Sequence, residues 1–210
     1  MAIFFVTGIG TGIGKTIISA ILAEALEADY WKPVQAGLET ETDSEWIKNH
    51  IRNGNTRVHP ELYRLRKPAS PHIAAREEGI NISIQKICNA VPEIKCNLIV
   101  EGAGGLMVPL NDKEFIADLV QHLGAKVILV SRNYLGSINH SLLTAHLAKE
   151  KKLPVLGWVF NDQYLDYENE IAGWTNLPRL GSVPFTANAN PEFISAQAKV
   201  LREKLETLLC

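Results

Sequence analysis

Short runs of apolar residues, separated by longer stretches with helical periodicity, constrain the fold of this chain more than any other feature. The runs lack polar alternation, which indicates strands that are buried on both faces. Such strands belong to a parallel sheet that is covered by helices. The predicted strands are residues 3–6, 98–100, 127–130 and 155–160, and residues 29–31, Asp-Tyr-Trp, are a fifth candidate with a weaker apolar pattern.

Between and after these strands, apolar residues recur at helical spacing, which predicts helices over residues 15–26, 115–123, 138–149 and 191–209. The order of strands and helices predicts an α/β fold with a predominantly parallel β-sheet flanked by helices. The more polar, turn-rich segment 40–83 is interpreted as an elaboration of the same domain. We therefore expect residues 1–210 to form a single domain.

Composition excludes several classes of protein. Lys and Arg total 21 against 23 Asp and Glu, a formal net charge of −2, which argues against a nucleic-acid partner. No stretch approaches the roughly 20 apolar residues of a membrane span, so we expect no membrane partner. Three cysteines without a C-x-x-C pair do not form a disulfide framework, which favours the reducing cytoplasm.

A glycine-rich loop, Gly8-Ile9-Gly10-Thr11-Gly12-Ile13-Gly14-Lys15-Thr16, joins the first strand to the first helix. Glycines let backbone N–H groups approach phosphates closely, and a helix N-terminus favours negative charge. Lys15 is suited to the β- and γ-phosphates and the Thr16 hydroxyl to Mg²⁺. The loop is one residue longer than the common G-x-x-x-x-G-K-[ST] pattern. It still predicts a P-loop NTPase-like three-layer sandwich.

Two carboxylates are candidates for holding a metal ion. Glu101 follows the strand 98–100, and the carboxyl end of a parallel strand faces the ligand crevice. The glycines that follow it allow a phosphate or substrate to approach closely. Taken alone, Glu101 is also compatible with a strand-end charge, and Asp43 with a helix N-cap.

Lys32 follows the second strand, in Lys32-Pro33-Val34-Gln35-Ala36-Gly37, and is suited to hold an anion, although an isolated lysine of this kind is usually solvated. Asn161 and Asp162 end the strand 155–160. They are compatible with a purine contact and, nearly as well, with a turn.

Taken together, these motifs resemble the dethiobiotin synthetase family over nearly the whole chain. The matching segments are Val-Thr-Gly-x5-Gly-Lys-Thr at 6–16, Lys-Pro-Val-x-x-Gly at 32–37, Asp43, Ser-Pro-His-Ile at 70–73, Glu-Gly-Ala-Gly-Gly at 101–105, Val-Pro-Leu at 108–110, Leu-Gly-x-Ile-Asn-His at 135–140, Gly-Trp-Val-x-Asn-Asp at 157–162 and Gly-x-Val-Pro at 181–184. Their order along the chain is also that of the family.

The resemblance implies an ATP-dependent enzyme of biotin biosynthesis. Its substrates would be 7,8-diaminononanoate (7,8-diaminopelargonate), CO₂ and ATP, and its products dethiobiotin, ADP and phosphate. A carbamate on one amine would attack the γ-phosphate of ATP, giving a carbamic–phosphoric anhydride. The second amine would then close the cyclic urea. The family also implies Mg²⁺ and a homodimer.

Residue roles follow from the resemblance at the matching positions. Thr16, Asp43 and Glu101 would hold Mg²⁺, and Lys32, Lys15 and Thr11 would be catalytic. The nucleotide would be bound by Gly12, Ile13, Gly14, Lys15, Thr16, Ile17, Asp43, Glu101, Gly102, Ala103, Gly104, Asn161, Asp162, Pro184, Phe185, Thr186 and Glu192. The diamine would be bound by Thr11, Lys15, Lys32 and Gly104, with its carboxylate held across the dimer interface by Leu135, Gly136, Ser137, Ile138 and Asn139.

Two other functions share features with this sequence. A ParA/MinD-like switch ATPase shares the expected architecture and acts through partner binding. Such proteins usually carry an additional lysine early in the loop, whereas the first lysine here is Lys15. An amidotransferase-linked ligase is usually much longer, and 210 residues leave no room for its glutaminase domain.

Overall fold

A computed structural model describes residues 1–161 and 165–209. Seven of the described strands form one parallel sheet in the order β4–β2–β6–β1–β7–β8–β9, and β3 pairs with β5 in a separate parallel pair. The strands are β1 (Ile3–Gly8), β2 (Asp29–Trp31), β3 (Val34–Ala36), β4 (Val58–His59), β5 (Tyr63–Leu65), β6 (Leu98–Glu101), β7 (Lys126–Arg132), β8 (Val155–Asn161) and β9 (Arg179–Val183).

Helices cover both faces of this sheet. They are α1 (Lys15–Leu26), α2 (Asp43–His50), α3 (Pro71–Glu77), α4 (Ile84–Asn89), α5 (Ile116–Leu123), α6 (Ser137–Glu150), α7 (Glu168–Thr175) and α8 (Pro191–Leu209). Among the described residues, no helix combines the length and the apolar character that crossing a membrane requires.

Alternate residues of the central strands point to opposite faces of the sheet and build two hydrophobic cores. On one face Phe4 and Val6 pack with residues of α1, α2 and α8, and we call this the α1-side core. On the other face Phe5 and Leu129 pack with residues of α3 to α7, the α5-side core. The predicted three-layer α/β sandwich is confirmed.

All five predicted strands and all four predicted helices occur, with small shifts at their ends. The strands β4 and β9, which the sequence analysis missed, form the two edges of the main sheet. Strand β4 has only two residues, and β9 has the sequence Arg-Leu-Gly-Ser-Val, so neither contains an apolar run. Segment 40–83 contributes β4, β5, α2 and α3, whose short, mixed sequences give weak periodic signals.

The strand order determines where the functional loops meet. Strand β6 lies between β1 and β2, with Val6 paired to Glu101 and Trp31 paired to Val100. Because parallel strands end at the same edge, the phosphate loop after β1, Lys32 after β2 and Glu101 at the end of β6 converge there.

Candidate active site

The phosphate loop is held in place by its own glycines and by β8. Gly14 caps α1 in the left-handed region at φ 86°, where a glycine is favoured. A Cβ at this position would lie 1.9 Å from the Asn161 side-chain nitrogen. That nitrogen donates a hydrogen bond to the Ile13 carbonyl at 2.9 Å. Asn161 therefore supports the loop backbone.

Lys15 is buried, and its Nζ donates to the Gly10 carbonyl at 2.7 Å. Burial lowers the pKa of Lys15 to about 8, with Lys32 adding to the lowering, while the carboxylates of Glu101 and Asp43 oppose it. A partly compensated cation of this kind is well suited to receive phosphate oxygens.

Lys32 joins two carboxylates that the sequence separates by 58 positions, Asp43 and Glu101. Its Nζ forms ion pairs with Asp43 Oδ2 and, at 3.2 Å, with Glu101 Oε1. The Thr16 hydroxyl lies 2.7 Å from Asp43 Oδ1 and 3.0 Å from Glu101 Oε1. These four side chains thus form one connected polar cluster at the start of α1.

The cluster is electrostatically self-consistent. Burial alone would lower the pKa of Lys32, but Glu101 and Asp43 outweigh it and raise this pKa. Burial alone would raise the pKa of Asp43, but Lys32 and the hydrogen bond from Thr16 hold it below its usual value. Lys32 and Asp43 are therefore charged at neutral pH.

Tyr30 closes the buried side of the cluster by donating a hydrogen bond to Glu101 Oε2 at 3.0 Å. Burial and the charge of Glu101 raise the pKa of Tyr30 well above its usual value, so it remains a hydroxyl donor. The sequence analysis assigned no role to Tyr30. Its place in the predicted strand 29–31, two residues before Lys32, is a signal that could have identified it.

The oxygen atoms of Thr16, Asp43 and Glu101 fit a magnesium ion by chemistry, because Mg²⁺ takes oxygen ligands and usually keeps water and substrate phosphates in its shell. Within the described ranges no group of three or more His, Cys, Asp or Glu side chains could hold a metal ion. A site with only two carboxylates and a hydroxyl would depend on oxygens from phosphate and water.

A cavity of about 980 Å³ opens over this cluster. Twelve of the residues predicted from the sequence line it: Thr11, Gly12, Gly14, Lys15, Thr16, Ile17, Lys32, Asp43, Glu101, Ala103, Gly104 and Thr186. The remaining lining residues are Val34, Gln35, Ala36, Glu41, Trp46, His50, Pro68, Ala69, Ser70, Pro71, Val108, Ala187, Asn188 and Ala189. Several of these were assigned no role by the sequence analysis.

Other predicted nucleotide residues lie outside the cavity lining. They are Ile13, Gly102, Asn161, Pro184, Phe185 and Glu192. Phe185 is 66% exposed, and the Glu192 carboxylate is paired with Arg52 at 2.5 Å on the surface. Asp162 falls outside the described residues.

The predicted carboxylate loop, Leu135 to Asn139, also does not line this cavity. Gly136 caps α6 at φ 103°, and the Ser137 hydroxyl is held by Tyr167 at 2.8 Å. Leu135 is 90% exposed. Within a single subunit these residues present a helix N-terminus on the surface.

Known proteins are similar to this chain over most of its length. A family model described as an AAA domain matches residues 3–192. A relative from Cytophaga hutchinsonii, named ATP-dependent dethiobiotin synthetase BioD, is 54% identical over 159 residues, covering 75% of this chain and 76% of the relative. A protein of the same name from Brucella ovis is 45% identical over 188 residues, covering 89% and 88%.

Solved structures with the same fold have much lower sequence identity. The cell division ATPase MinD of Pyrococcus furiosus has a TM-score of 0.62 at 14% identity, covering 99% of this chain and 100% of that one. A ParA family ATPase from Chlorobium tepidum has a TM-score of 0.56 at 16% identity, covering 99% and 93%. At such identities the likeness extends to the fold alone.

Proposed function

Because this chain belongs to the ATP-dependent dethiobiotin synthetases, we propose that it converts 7,8-diaminononanoate, CO₂ and ATP into dethiobiotin, ADP and phosphate in biotin biosynthesis. The observation that supports this most directly is the Lys32 ammonium, which is held by Asp43 and Glu101 beside the phosphate loop. A reaction between a carbamate and a triphosphate needs a buried cation at this position.

The proposed reaction begins with attack of one amine on CO₂, which forms a C–N bond and releases a proton. A carbamate oxygen then attacks the γ-phosphorus of ATP, and ADP leaves. The second amine attacks the carbamoyl carbon of the resulting anhydride, phosphate leaves with the C–O electron pair, and the cyclic urea forms with loss of a proton. We assign no order to the two amines.

Lys15 and Lys32 would supply positive charge where the carbamate and the triphosphate meet. Phosphoryl transfer is accelerated chiefly by positioning and charge stabilisation. Lys32 directly follows the buried strand β2, and Lys15 is the first residue of α1. Because both lysines are anchored by regular structure, the side chains need little rearrangement when the substrates bind. Thr11 lines the same cavity and would contact the reacting end of the diamine or the phosphates.

Thr16, Asp43 and Glu101 would hold Mg²⁺, which supplies charge neutralisation to the phosphates when bound. The Lys32 ammonium shares both carboxylates and would remain beside them. Calorimetric titration should find ATP binding to Glu101→Gln much less dependent on Mg²⁺ than binding to the parent protein; an unchanged dependence would exclude Glu101 from the metal set.

We further propose a homodimer in which residues 135–139 of one subunit bind the diamine carboxylate for its partner, since a helix N-terminus favours an anion. In this proposal residues 1–210 act as one domain without a nucleic-acid or membrane partner. We assign the enzyme to the cytoplasm, in keeping with the free thiols of Cys88 and Cys96 in the described part of the chain.

The likeness to MinD and ParA does not favour a switch ATPase. It rests on the fold, with 13–16% identity to these structures, whereas the dethiobiotin synthetases share 45–54% identity with this chain. The phosphate loop also lacks the early lysine expected of a switch ATPase, because Lys15 is its first lysine.

The proposal is tested by measuring ADP release with and without the diamine and bicarbonate, with mass detection of dethiobiotin. We expect both substrates to stimulate turnover strongly and the product mass to appear. ATP turnover that ignores both would contradict the proposed reaction.

Lys32→Ala provides the matched test of the site. By analogy with the loss of an oxyanion donor, it should cost at least about 2–3 kcal/mol of transition-state stabilisation. This corresponds to a fall in kcat/KM of about 30- to 150-fold. A near-normal kcat/KM would remove Lys32 from the mechanism.

A further inference from the structure

Two aromatic rings on α2 form a wall of the cavity that the reaction described above does not use. The rings of Trp46 and His50 stack with centroids 3.8 Å apart and an interplanar angle of 13°. Both side chains are half-buried, and both line the cavity that contains the phosphate loop. They lie three and seven residues after Asp43, on the same face of the helix.

The pair is held rigidly from several sides. Thr42 and Glu45 form a capping box at the start of α2, and Trp46 packs against the α1-side core. The His50 Nδ1 donates a hydrogen bond to the Trp46 carbonyl at 2.7 Å, because a carbonyl can only accept. The two rings therefore form a prearranged aromatic stack at the cavity wall.

The cavity lining draws on both hydrophobic cores. Val34, Ala36 and Val108 belong to the α5-side core or pack against it. Ile17 and Trp46 pack against the α1-side core. The phosphate loop, Lys32 and Asp43 line the same cavity.

The two reactants need different parts of this cavity. The diamine and the γ-phosphate must meet at Lys32, so the nucleoside and the hydrocarbon chain have to extend away from that point in different directions. Ile17 follows directly on Lys15 and Thr16 in the first turn of α1, and Thr186 to Ala189 precede α8. Helix α2 packs against both α1 and α8, and its aromatic rings line the cavity together with Ile17 and with Thr186 to Ala189.

We infer that Trp46, supported by His50, is a binding residue that stacks on the nucleobase of ATP. A planar base has an apolar face that matches an aromatic ring, and such stacking tolerates different bases. The wall would thus favour any purine or pyrimidine over a bare polyphosphate. The inference rests on the ATP dependence of the proposed function and does not need the diamine.

The experiment compares Trp46→Leu with the parent protein in binding two ligands, a non-hydrolysable ATP analogue and inorganic tripolyphosphate, without diamine or bicarbonate. Loss of one base–aromatic stack should raise the Kd of the ATP analogue about 5- to 150-fold. The Kd of tripolyphosphate, which has no base, should stay within about 2-fold of the parent value. Trp46→Phe should retain most of the affinity for the analogue.

Trp174→Leu is the matched control, because Trp174 is an exposed tryptophan on α7 and does not line the cavity. It should bind both ligands like the parent. Should Trp46→Leu fail to fold, the intrinsic tryptophan fluorescence of the parent protein is compared with that of the folded Trp46→Phe variant. The parent protein should then show quenching with the ATP analogue that is absent with tripolyphosphate and lost in Trp46→Phe.

Equal weakening of both ligands in Trp46→Leu would assign Trp46 a structural role and overturn the inference. Unchanged binding of the ATP analogue would overturn the inference as well, and a raised KM for the diamine in the same variant would then assign the wall to the other reactant. Because binding is measured without diamine, failure of the proposed reaction would leave this result interpretable.

Discussion

Lys15 and Lys32 are two buried ammonium groups in one cavity, and their surroundings act on them in opposite directions. Burial dominates for Lys15, whose pKa falls to about 8, because its direct hydrogen bond is to a neutral carbonyl. Lys32 contacts two carboxylates, and its pKa is raised. The phosphate-loop lysine is therefore the one that gains most from an anionic ligand.

The low pKa of Lys15 predicts that the difference in stability between Lys15→Met and the parent protein depends on pH. Between pH 8 and 10.5 the unfolded chain holds more protons on Lys15 than the folded chain, so the stability of the parent rises with pH. Below pH 8 the full cost of the buried cation is present. The variant should then be more stable than the ligand-free parent by about 1–3 kcal/mol.

Urea unfolding of both proteins at pH 7 and pH 9.5, without nucleotide, measures this prediction. The advantage of the variant should shrink at the higher pH, and saturating ATP should stabilise the parent much more than the variant. A parent that is the more stable protein at both pH values, by the same margin, would contradict the low pKa of Lys15.

The elements around the site are short, and each one brings a single functional side chain to the edge of the sheet. Strand β2 ends before Lys32, β6 ends at Glu101, and α2 begins with Asp43 behind the capping residue Thr42. The turn into α1 is the most constrained of these, because Gly14 combines a left-handed backbone with close contact to Asn161.

Two alanine substitutions in the phosphate loop should therefore behave differently. Gly14→Ala must adopt an unfavourable φ and displace the Asn161 amide from the Ile13 carbonyl, which should lower the free energy of unfolding by about 2–4 kcal/mol. A Cβ on Gly10 would meet nothing within 4 Å, so Gly10→Ala should change the free energy of unfolding by less than about 1 kcal/mol.

Denaturant unfolding of the two variants beside the parent makes the comparison, with nucleotide binding as a second measurement. Both variants add the same methyl group to the same loop, so helix propensity and composition are matched. Similar losses at the two positions would mean that the left-handed turn at Gly14 does not limit the stability of the loop.

At the scale of the whole molecule, the surface around α6 is where the proposed homodimer would form. Leu135 and Leu143 are 90% and 59% exposed, and the N-terminus of α6 begins between them. Covering these two apolar side chains at an interface would remove them from water, which would stabilise an association. The proposed homodimer would cover this surface and bring the helix N-terminus to the partner's cavity.

Solution mass measurements should therefore find a dimer of the parent protein and a shift toward monomer in Leu135→Asp. The KM for the diamine should rise in the variant because its carboxylate site is incomplete. Binding of ATP should be retained, since the nucleotide cavity is lined by one subunit. A monomeric parent with full activity would contradict the shared carboxylate site.

Much of the fold and part of the site could be predicted because their signals are local. Apolar runs and helical periodicity located the central strands and α1, α5, α6 and α8 within a few residues. The phosphate loop is contiguous in sequence, so Gly14, Lys15 and Thr16 were recognisable together. The edge strands β4 and β9 were not predicted, because their sequences have little apolar pattern and their strand structure depends on pairing with β2 and β8.

What the sequence determined by itself is the class of fold, the phosphate loop and the candidate residues Lys32, Asp43 and Glu101. Tertiary structure alone decided that Lys32 pairs with both carboxylates, that Tyr30 donates to Glu101, and that Asn161 supports the loop backbone. It also brought Trp46 and His50 into the cavity. The physical reason is that these contacts join residues far apart in the chain, and only the strand order and the packing of α2 against α1 and α8 bring them together.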